Sequence, residues 1–424
     1  YLGKLLWPAD LVFIYPRWTV DATAAWQYLF PILALGLVGL LFAARGRIGR
    51  GPLAAVLYFG GTLFPVLGFF NVYPFKFSFV ADHFQYLASL GIITLLAAGV
   101  ATVLRRWRLW GRPPGWAVCV AIVIALGWVG QRQSRIYRDA ETLWVDTTTR
   151  NPGGFMAFNN LGYEYSRQGR LVEAVEAYRT AIANKPDFDQ AYFNLARAWS
   201  KLGRTDEAIS AYRLAIAIRP DSAEAHYNLG IEYASLGRHE DAAREFEAAV
   251  ASSPEMAEAH YNLGSAYGTL GRYRDAIEAY RAAIALRPTY AEAHLNLAVA
   301  AMAMGDTSQA IDVLTRAIEI RPGYADAYHN LGRAYAAAGR HELAAETFND
   351  LATLHGQHGR YAEAIEACEL ALSSQPDDAR AYFLIGTAHA RLGRSAEATA
   401  AFERAAALDP DGEAGRLARD SLNN

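Results

Sequence analysis

The sequence predicts an all-α protein in two unlike parts, a transmembrane helical segment of about four spans followed by an α-solenoid of short repeats. Three observations predict it. Apolar runs of spanning length crowd the first third of the 424 residues. Charge divides the same way: residues 1–150 hold 14 Lys and Arg against 6 Asp and Glu, and the remainder 26 against 37. Prolines then fall at 152, 186, 220, 254, 288 and 322, each 34 residues after the last, and resume at 376 and 410. A basic apolar part joined to an acidic part is the composition of a membrane anchor with a water-facing domain. The acidic part argues against nucleic acid as a partner, because backbone binding relies on clustered Lys and Arg. The chain opens on Tyr1 without a signal-peptide pattern and is expected to be part of a longer protein.

The multi-pass region is placed at 1–135, with spans at about 25–44, 52–70, 84–104 and 114–130. A spanning helix needs about 20 mostly apolar residues. The fourth run is short, but Trp116 and Trp128 stand at its ends as interfacial anchors, and Arg132 and Arg135 can snorkel to lengthen it. Arg45, Arg47 and Arg50 lie between the first two spans, and Arg105, Arg106, Arg108 and Arg112 between the last two. The positive-inside rule makes both loops cytoplasmic. The loop around Lys76 and everything after residue 130 then lie outside. Arg132, Arg135 and Arg138 oppose this, yet they precede a long domain, and long translocated domains obey the rule weakly. The expected location is the cytoplasmic membrane, with the repeats extracytoplasmic and lipid as one partner. The inverted orientation would make a cytoplasmic-facing scaffold.

Residues 71–82 form the outer loop, and Asp82 and His83 open the third span. Two readings of this polar stretch stand side by side. Asp at a helix start meets free N–H groups and the positive dipole end, so capping alone explains it. Ionisable groups at membrane depth also mark functional sites. In that reading Lys76 holds a phosphate, and Asp82, His83 and Tyr86 hydrogen-bond around it. The phrase VADHFQYLASLG resembles the V-A-D-R-Y-x-Y-L-P-S-L-G signature of the transmembrane-and-tetratricopeptide O-mannosyltransferase-like family, multi-spanning C-type glycosyltransferases. Val80, Ala81, Asp82, Tyr86, Leu87, Ser89, Leu90 and Gly91 match, whereas His83 replaces Arg, Phe84 replaces Tyr and Ala88 replaces Pro. The opening YLGKLLWPADLVFIYP is similar to a segment midway through that family's membrane region. The resemblance implies a polyprenyl-phosphate sugar as donor and a catalytic acid in the first external loop, upstream of Tyr1. Within the chain no catalytic residue is named. No Gly-rich phosphate loop, nucleophile motif or metal-ligand spacing stands out, and no cofactor or metal is called for.

After a linker helix at 136–152 come the repeats, at 153–186, 187–220, 221–254, 255–288, 289–322, an irregular 323–376, and 377–410, with a cap at 411–424. A 34-residue period with this internal pattern is that of the tetratricopeptide repeat, one helix–turn–helix per unit. In 223–254, Leu229, Gly230, Tyr233, Ala242, Phe246, Ala249 and Pro254 occupy the patterned positions; Leu263, Gly264, Tyr267, Ala276, Tyr280, Ala283 and Pro288 do so next. Gly230 and Gly264 let two helices approach, Gly237 and Gly271 end the first helix in a left-handed cap, and proline stops the second. One unit cannot bury its apolar face alone, so the stack is expected to form a right-handed solenoid with a concave groove. In 323–376, alignment back from Pro376 leaves HELAAE as the remnant of a missing second helix, with Phe348, Leu351, Ala352, His355 and Gly359 at first-helix positions. Cys368 falls where neighbours carry Phe or Tyr and is read as a small buried hydrophobe. His226, His260 and His294 recur at the same spacing, but stacked helices lie about 10 Å apart, too far to share a metal, so they are read as packing residues.

Asn160, Asn194, Asn228, Asn262, Asn296 and Asn330 recur once per repeat, before the Leu of the first helix. An amide offers a donor and an acceptor, so such a ladder can pair with an extended peptide backbone whatever its side chains. Related glycosyltransferase solenoids are known for such a ladder, and the resemblance implies a similar use. Phe193, Tyr227 and Tyr261 stand one residue before and are expected to pack on that peptide, while Glu224, Glu258, Glu292 and Asp326 favour a basic segment. Asp350 and Leu384 break the ladder, and tolerated repetition of an exposed Asn is the plain alternative. Two functions are compatible with this: part of a membrane glycosyltransferase whose external repeats hold a protein acceptor, or a non-enzymatic membrane-anchored adaptor for envelope assembly.

Overall fold

The structure, a computed structural model, describes residues 29–63 and 135–423, with isolated helical positions between 99 and 131. Every regular element among them is a helix. Near the start lie α1 (Leu29–Ile48) and α2 (Gly51–Leu63). The apolar part of α1 runs from Leu29 to Ala44 before Arg45 and Arg47, and α2 has 13 residues. Among the described residues no helix is long and apolar enough to cross a membrane. The described helices α1 and α2 overlap the expected spans at 25–44 and 52–70, whose residues 25–28 and 64–70 lie outside the described residues. Those at 84–104 and 114–130 lie, but for scattered positions, outside the described residues, as do Lys76, Asp82, His83 and Tyr86.

The chain divides into two compact units, Tyr1–Ile218 and Arg219–Asn424. In the first, a short 3-10 turn (Arg135–Tyr137) precedes α3 (Ala140–Arg150), which Asp139 caps by accepting from the Thr142 N–H at 2.7 Å. Two helical hairpins come next: α4 (Phe155–Arg167) with α5 (Leu171–Asn184), and α6 (Asp189–Lys201) with α7 (Thr205–Ile218). The second unit holds α8 (Ala223–Ser235), α9 (His239–Ser252), α10 (Ala257–Thr269), α11 (Tyr273–Leu286), α12 (Ala291–Ala303) and α13 (Thr307–Ile320). It continues with α14 (Ala325–Ala337), α15 (His341–Gln357), α16 (Tyr361–Ser374), α17 (Ala379–Arg391), α18 (Ser395–Leu408) and α19 (Glu413–Asn423). Within each unit the repeat helices pack on the next in sequence, and in the second unit first helices of neighbouring hairpins also touch, α10 with α12 and α12 with α14. Apolar residues three and four apart face that seam, and the polar faces turn outward.

Two glycine devices shape the hairpins α8–α9 and α10–α11. A Cβ on Gly230 would stand 2.6 Å from Phe246, and one on Gly264 2.7 Å from Tyr280, so the aromatic ring occupies the space that a side chain would fill. Gly237 and Gly271 then adopt φ near +71 and +72°, the left-handed conformation that ends α8 and α10.

The irregular segment differs from the expected remnant plus new helix. One helix of 17 residues, α15, does both jobs. Phe348 fills the gap at Gly332, 2.6 Å from where its Cβ would be, as a second helix does for its own first helix. The same helix packs on α16 and α17, as a first helix packs on the two helices after it. No Gly or Pro interrupts residues 341–355, which is why the helix runs through. Cys368 is fully buried in this cluster, and burial pushes its thiol up to about 12, so it packs as a small hydrophobe. At the chain's end Ala418 of α19 is buried against α18.

Candidate peptide-binding face

The six asparagines stand on first helices, one each on α4, α6, α8, α10, α12 and α14. Their surroundings differ. In the first unit, Asn194 is buried and donates through Nδ2 to Asn159 Oδ1 at 2.9 Å. Phe193 is buried too, edge-on to Tyr212 with ring centres 5.8 Å apart. Both residues therefore serve the packing of α4 to α7, and neither offers much surface to a ligand. Asn159, itself buried, is the partner that the repeat pattern did not single out. Asn160 is half-buried.

In the second unit Asn228, Asn262, Asn296 and Asn330 are all half-buried, with part of each amide at the surface. Asn262 donates to Tyr227 Oη at 3.0 Å, and Asn296 to Tyr261 Oη at 3.1 Å. Each of these bonds joins one first helix to the one before it. Tyr227 and Tyr261 thus hold the ladder, and their rings pack inward on Phe246 and Tyr280 at 5.9 Å. Asn228 and Asn330 instead donate one turn back, to the carbonyls of Glu224 and Asp326, at 2.7 and 2.8 Å. Each of the four amides thus spends a donor within the fold, which fixes its rotamer and leaves the Oδ1 acceptor for an outside backbone N–H. Beside the row, Ile231 and Val299 are exposed, 40% and 45%, and give the face an apolar component.

The expected acidity of this face is uneven. Arg287 pairs with Glu258, and Arg321 with Glu292 at 2.5 Å. These hydrogen bonds hold both carboxyls below the ordinary carboxylate value. Arg287 also lies over Tyr290 and Arg321 over Tyr324, 4.8 and 4.6 Å from the ring centres. Among the described residues Glu224 and Asp326 make no ion pair. The recurrent histidines are tied to backbone: His226 and His260 approach the carbonyls of Pro220 and Pro254 at 3.0 Å, and His294 that of Tyr290 at 2.9 Å.

Stacked helical hairpins with glycine-gated aromatic seams define an α-solenoid of 34-residue units. Family comparison gives the narrower class: the Tetratricopeptide repeat model matches residues 124–187, 159–223, 227–291, 266–325 and 349–413, and a second model of that description matches 301–355. The chain belongs to the tetratricopeptide repeat family. It is similar to the crystal structure of MamA protein, with 30% identity, 41% of this chain and 94% of that one covered, and a TM-score of 0.40. It is similar to YrrB, described as a TPR protein with an unusual peptide-binding site, with 24% identity, 49% and 96% covered, and a TM-score of 0.37. The C-terminal part of a TPR repeat-containing protein from Cytophaga hutchinsonii is also similar, with 20% identity, 62% and 98% covered, and a TM-score of 0.45. No curated protein matches the chain significantly.

Proposed function

We propose that the chain is a membrane-anchored scaffold that holds extended segments of partner proteins along the first helices of its repeats. The observation that carries this is the row of half-exposed amides at Asn228, Asn262, Asn296 and Asn330, the middle two fixed by Tyr227 and Tyr261 and the outer two by the carbonyls of Glu224 and Asp326. A row of side-chain amides on a rigid helical layer can pair with a backbone without reading its side chains. Membrane anchoring is supported by the apolar runs of the first third and by α1, which exposes Ile32, Leu33, Leu35, Leu40 and Phe42. The seven arginines of the two expected inner loops favour repeats outside the cytoplasm. A narrower reading adds catalysis: the chain is the C-terminal part of a polyprenyl-phosphate-sugar-dependent O-glycosyltransferase, with Lys76, Asp82, His83 and Tyr86 facing the lipid-linked sugar. Its support is the sequence resemblance at 80–91, and unchanged sugar transfer by full-length protein carrying Asp82→Asn and Lys76→Ala would reject it.

The binding reading is tested with the full chain and fluorescent unfolded acceptor peptides. Alanine at Asn228, Asn262 and Asn296 together should weaken binding well beyond the roughly fivefold expected from one hydrogen bond of about 1 kcal/mol. Unchanged affinity, with helicity and melting intact, would sink it.

A further inference from the structure

Given peptide binding along the amide row, on which this inference rests, the charge pattern of the same helices narrows the segment that is held. An acid stands at the second position of α8, α10, α12 and α14: Glu224, Glu258, Glu292 and Asp326. The middle two are neutralised within the fold. Each pairs with the arginine 29 residues later, just before a proline, Arg287 for Glu258 and Arg321 for Glu292. The outer two lack that arginine. The residue 29 after Glu224 is Ser253, whose hydroxyl donates to Glu255 at 2.8 Å. The residue 29 after Asp326 is His355, whose imidazole is shifted below its ordinary value by burial and which makes no ion pair with Asp326. Glu224 and Asp326 are exposed, whereas Glu258 and Glu292 are half-buried. The amide row runs between them.

We propose that this face selects an extended segment with two basic residues about eight or nine positions apart and none needed between. The spacing comes from geometry. Neighbouring packed helices lie about 8–10 Å apart, so three repeat steps span roughly 24–30 Å. An extended chain rises about 3.1–3.4 Å per residue, which makes that distance about eight or nine residues. A basic side chain near Glu258 or Glu292 would meet a carboxylate already paired with arginine and gain little. At Glu224 and Asp326 it meets an uncompensated charge. The middle of the segment is held through its backbone by Asn262 and Asn296 and is free in sequence.

The full chain is titrated, by fluorescence anisotropy at low salt, with three synthetic Ser/Ala-rich peptides of equal length. One carries two arginines about nine residues apart, one carries them about three apart, and one carries none. The wide pair should bind tightest, with each engaged carboxylate giving roughly two- to fivefold, and added salt should erase the advantage. Glu224→Gln and Asp326→Asn should each remove one share. Ser253→Arg supplies Glu224 with the partner that Glu258 and Glu292 already have, so it should remove the same share as Glu224→Gln while leaving the amide row intact. Equal affinity for all three peptides overturns the charge spacing but leaves backbone binding standing. A full preference retained in Ser253→Arg overturns it as well. Binding of none of the three overturns both readings.

Discussion

The hairpin α8–α9 and its counterpart α14–α15 start alike and end differently. In both, an aromatic ring sixteen residues on fills the gap left by a glycine, Phe246 at Gly230 and Phe348 at Gly332. In α9 the next residue, Glu247, is exposed; in α15 the next residue, Asn349, is 1% exposed. The regular second helix buries one side, at Ala242, Ala243, Phe246 and Ala249. The long helix α15 buries Ala344, Ala345, Thr347, Phe348, Asn349, Leu351 and Ala352, more than one face can hold. A repeat array thus loses a turn and most of a helix without exposing its seam, because one helix can be covered on two sides. Continuity of packing, not a constant count of helices, is what the array preserves.

The sharpest way to break the comparison is to remove the two rings. Phe246→Ala and Phe348→Ala should each cost about 3–5 kcal/mol in urea melts, since both rings are 2% exposed and fill a tight gap. The difference lies in reach. Loss of amide protection should stay within α8 and α9 for Phe246→Ala, but should extend over α14, α15 and α16 for Phe348→Ala. In the unmutated chain the same view makes residues 344–352 at least as well protected as 242–249. Faster exchange in 341–346 would favour a frayed remnant over a shared helix. A smaller contrast sits one residue on. Asn349 donates to Asp378 Oδ2 at 2.6 Å, while Asp378 caps α17 through its other oxygen, to the Arg380 and Ala381 N–H groups. Asn349→Ala should cost about 1–3 kcal/mol by cutting a bond to a charged cap. Glu247→Gln, at the exposed counterpart, keeps an acceptor for Tyr267 Oη and should cost less than about 1 kcal/mol. Equal costs would mean that α15 is not buried on both sides.

Much of this is legible in the sequence, and the parts that are not share a cause. The proline period, Gly230 with Phe246, and Gly237 are local patterns, because a hairpin's own geometry sets them. The continuous α15 is also written in residues 341–355, which contain no helix breaker, but aligning backward from Pro376 hides it. Lys76, Asp82, His83 and Tyr86 are legible only as a motif, and they lie outside the described residues. Contacts between repeats are harder to read. Tyr227 with Asn262 and Glu258 with Arg287 stand 35 and 29 residues apart, offsets set by how one hairpin leans on the next. The burial of Asn194 depends likewise on its neighbour Asn159, so an identical letter at an identical repeat position ends in a different environment.

The smallest expected effect separates the same two regions by the sign of their pH dependence. In the regular hairpin, His226 Nδ1 meets Glu245 at 2.6 Å, and this bond raises the imidazole above its ordinary value of 6.5. In the other region, His329 packs edge-on to Phe348, and burial lowers it below 6.5, with Arg333 adding to the effect. A raised histidine gives stability that is complete below the unfolded value and is lost as the pH rises through the raised folded one. A lowered histidine does the reverse: it adds no penalty above 6.5, and the folded state loses stability as the pH falls from there through the lowered value. Urea melts from about pH 5 to 8 should therefore show opposite changes in slope for two variants. Glu245→Gln should remove stabilisation on the acid side, by a few tenths to about 1 kcal/mol, as for a partly exposed pair. His329→Gln should remove an acid-side penalty and flatten the curve in the other direction. Parallel shifts of both curves, with unchanged slopes, would show that neither ring titrates as its surroundings dictate.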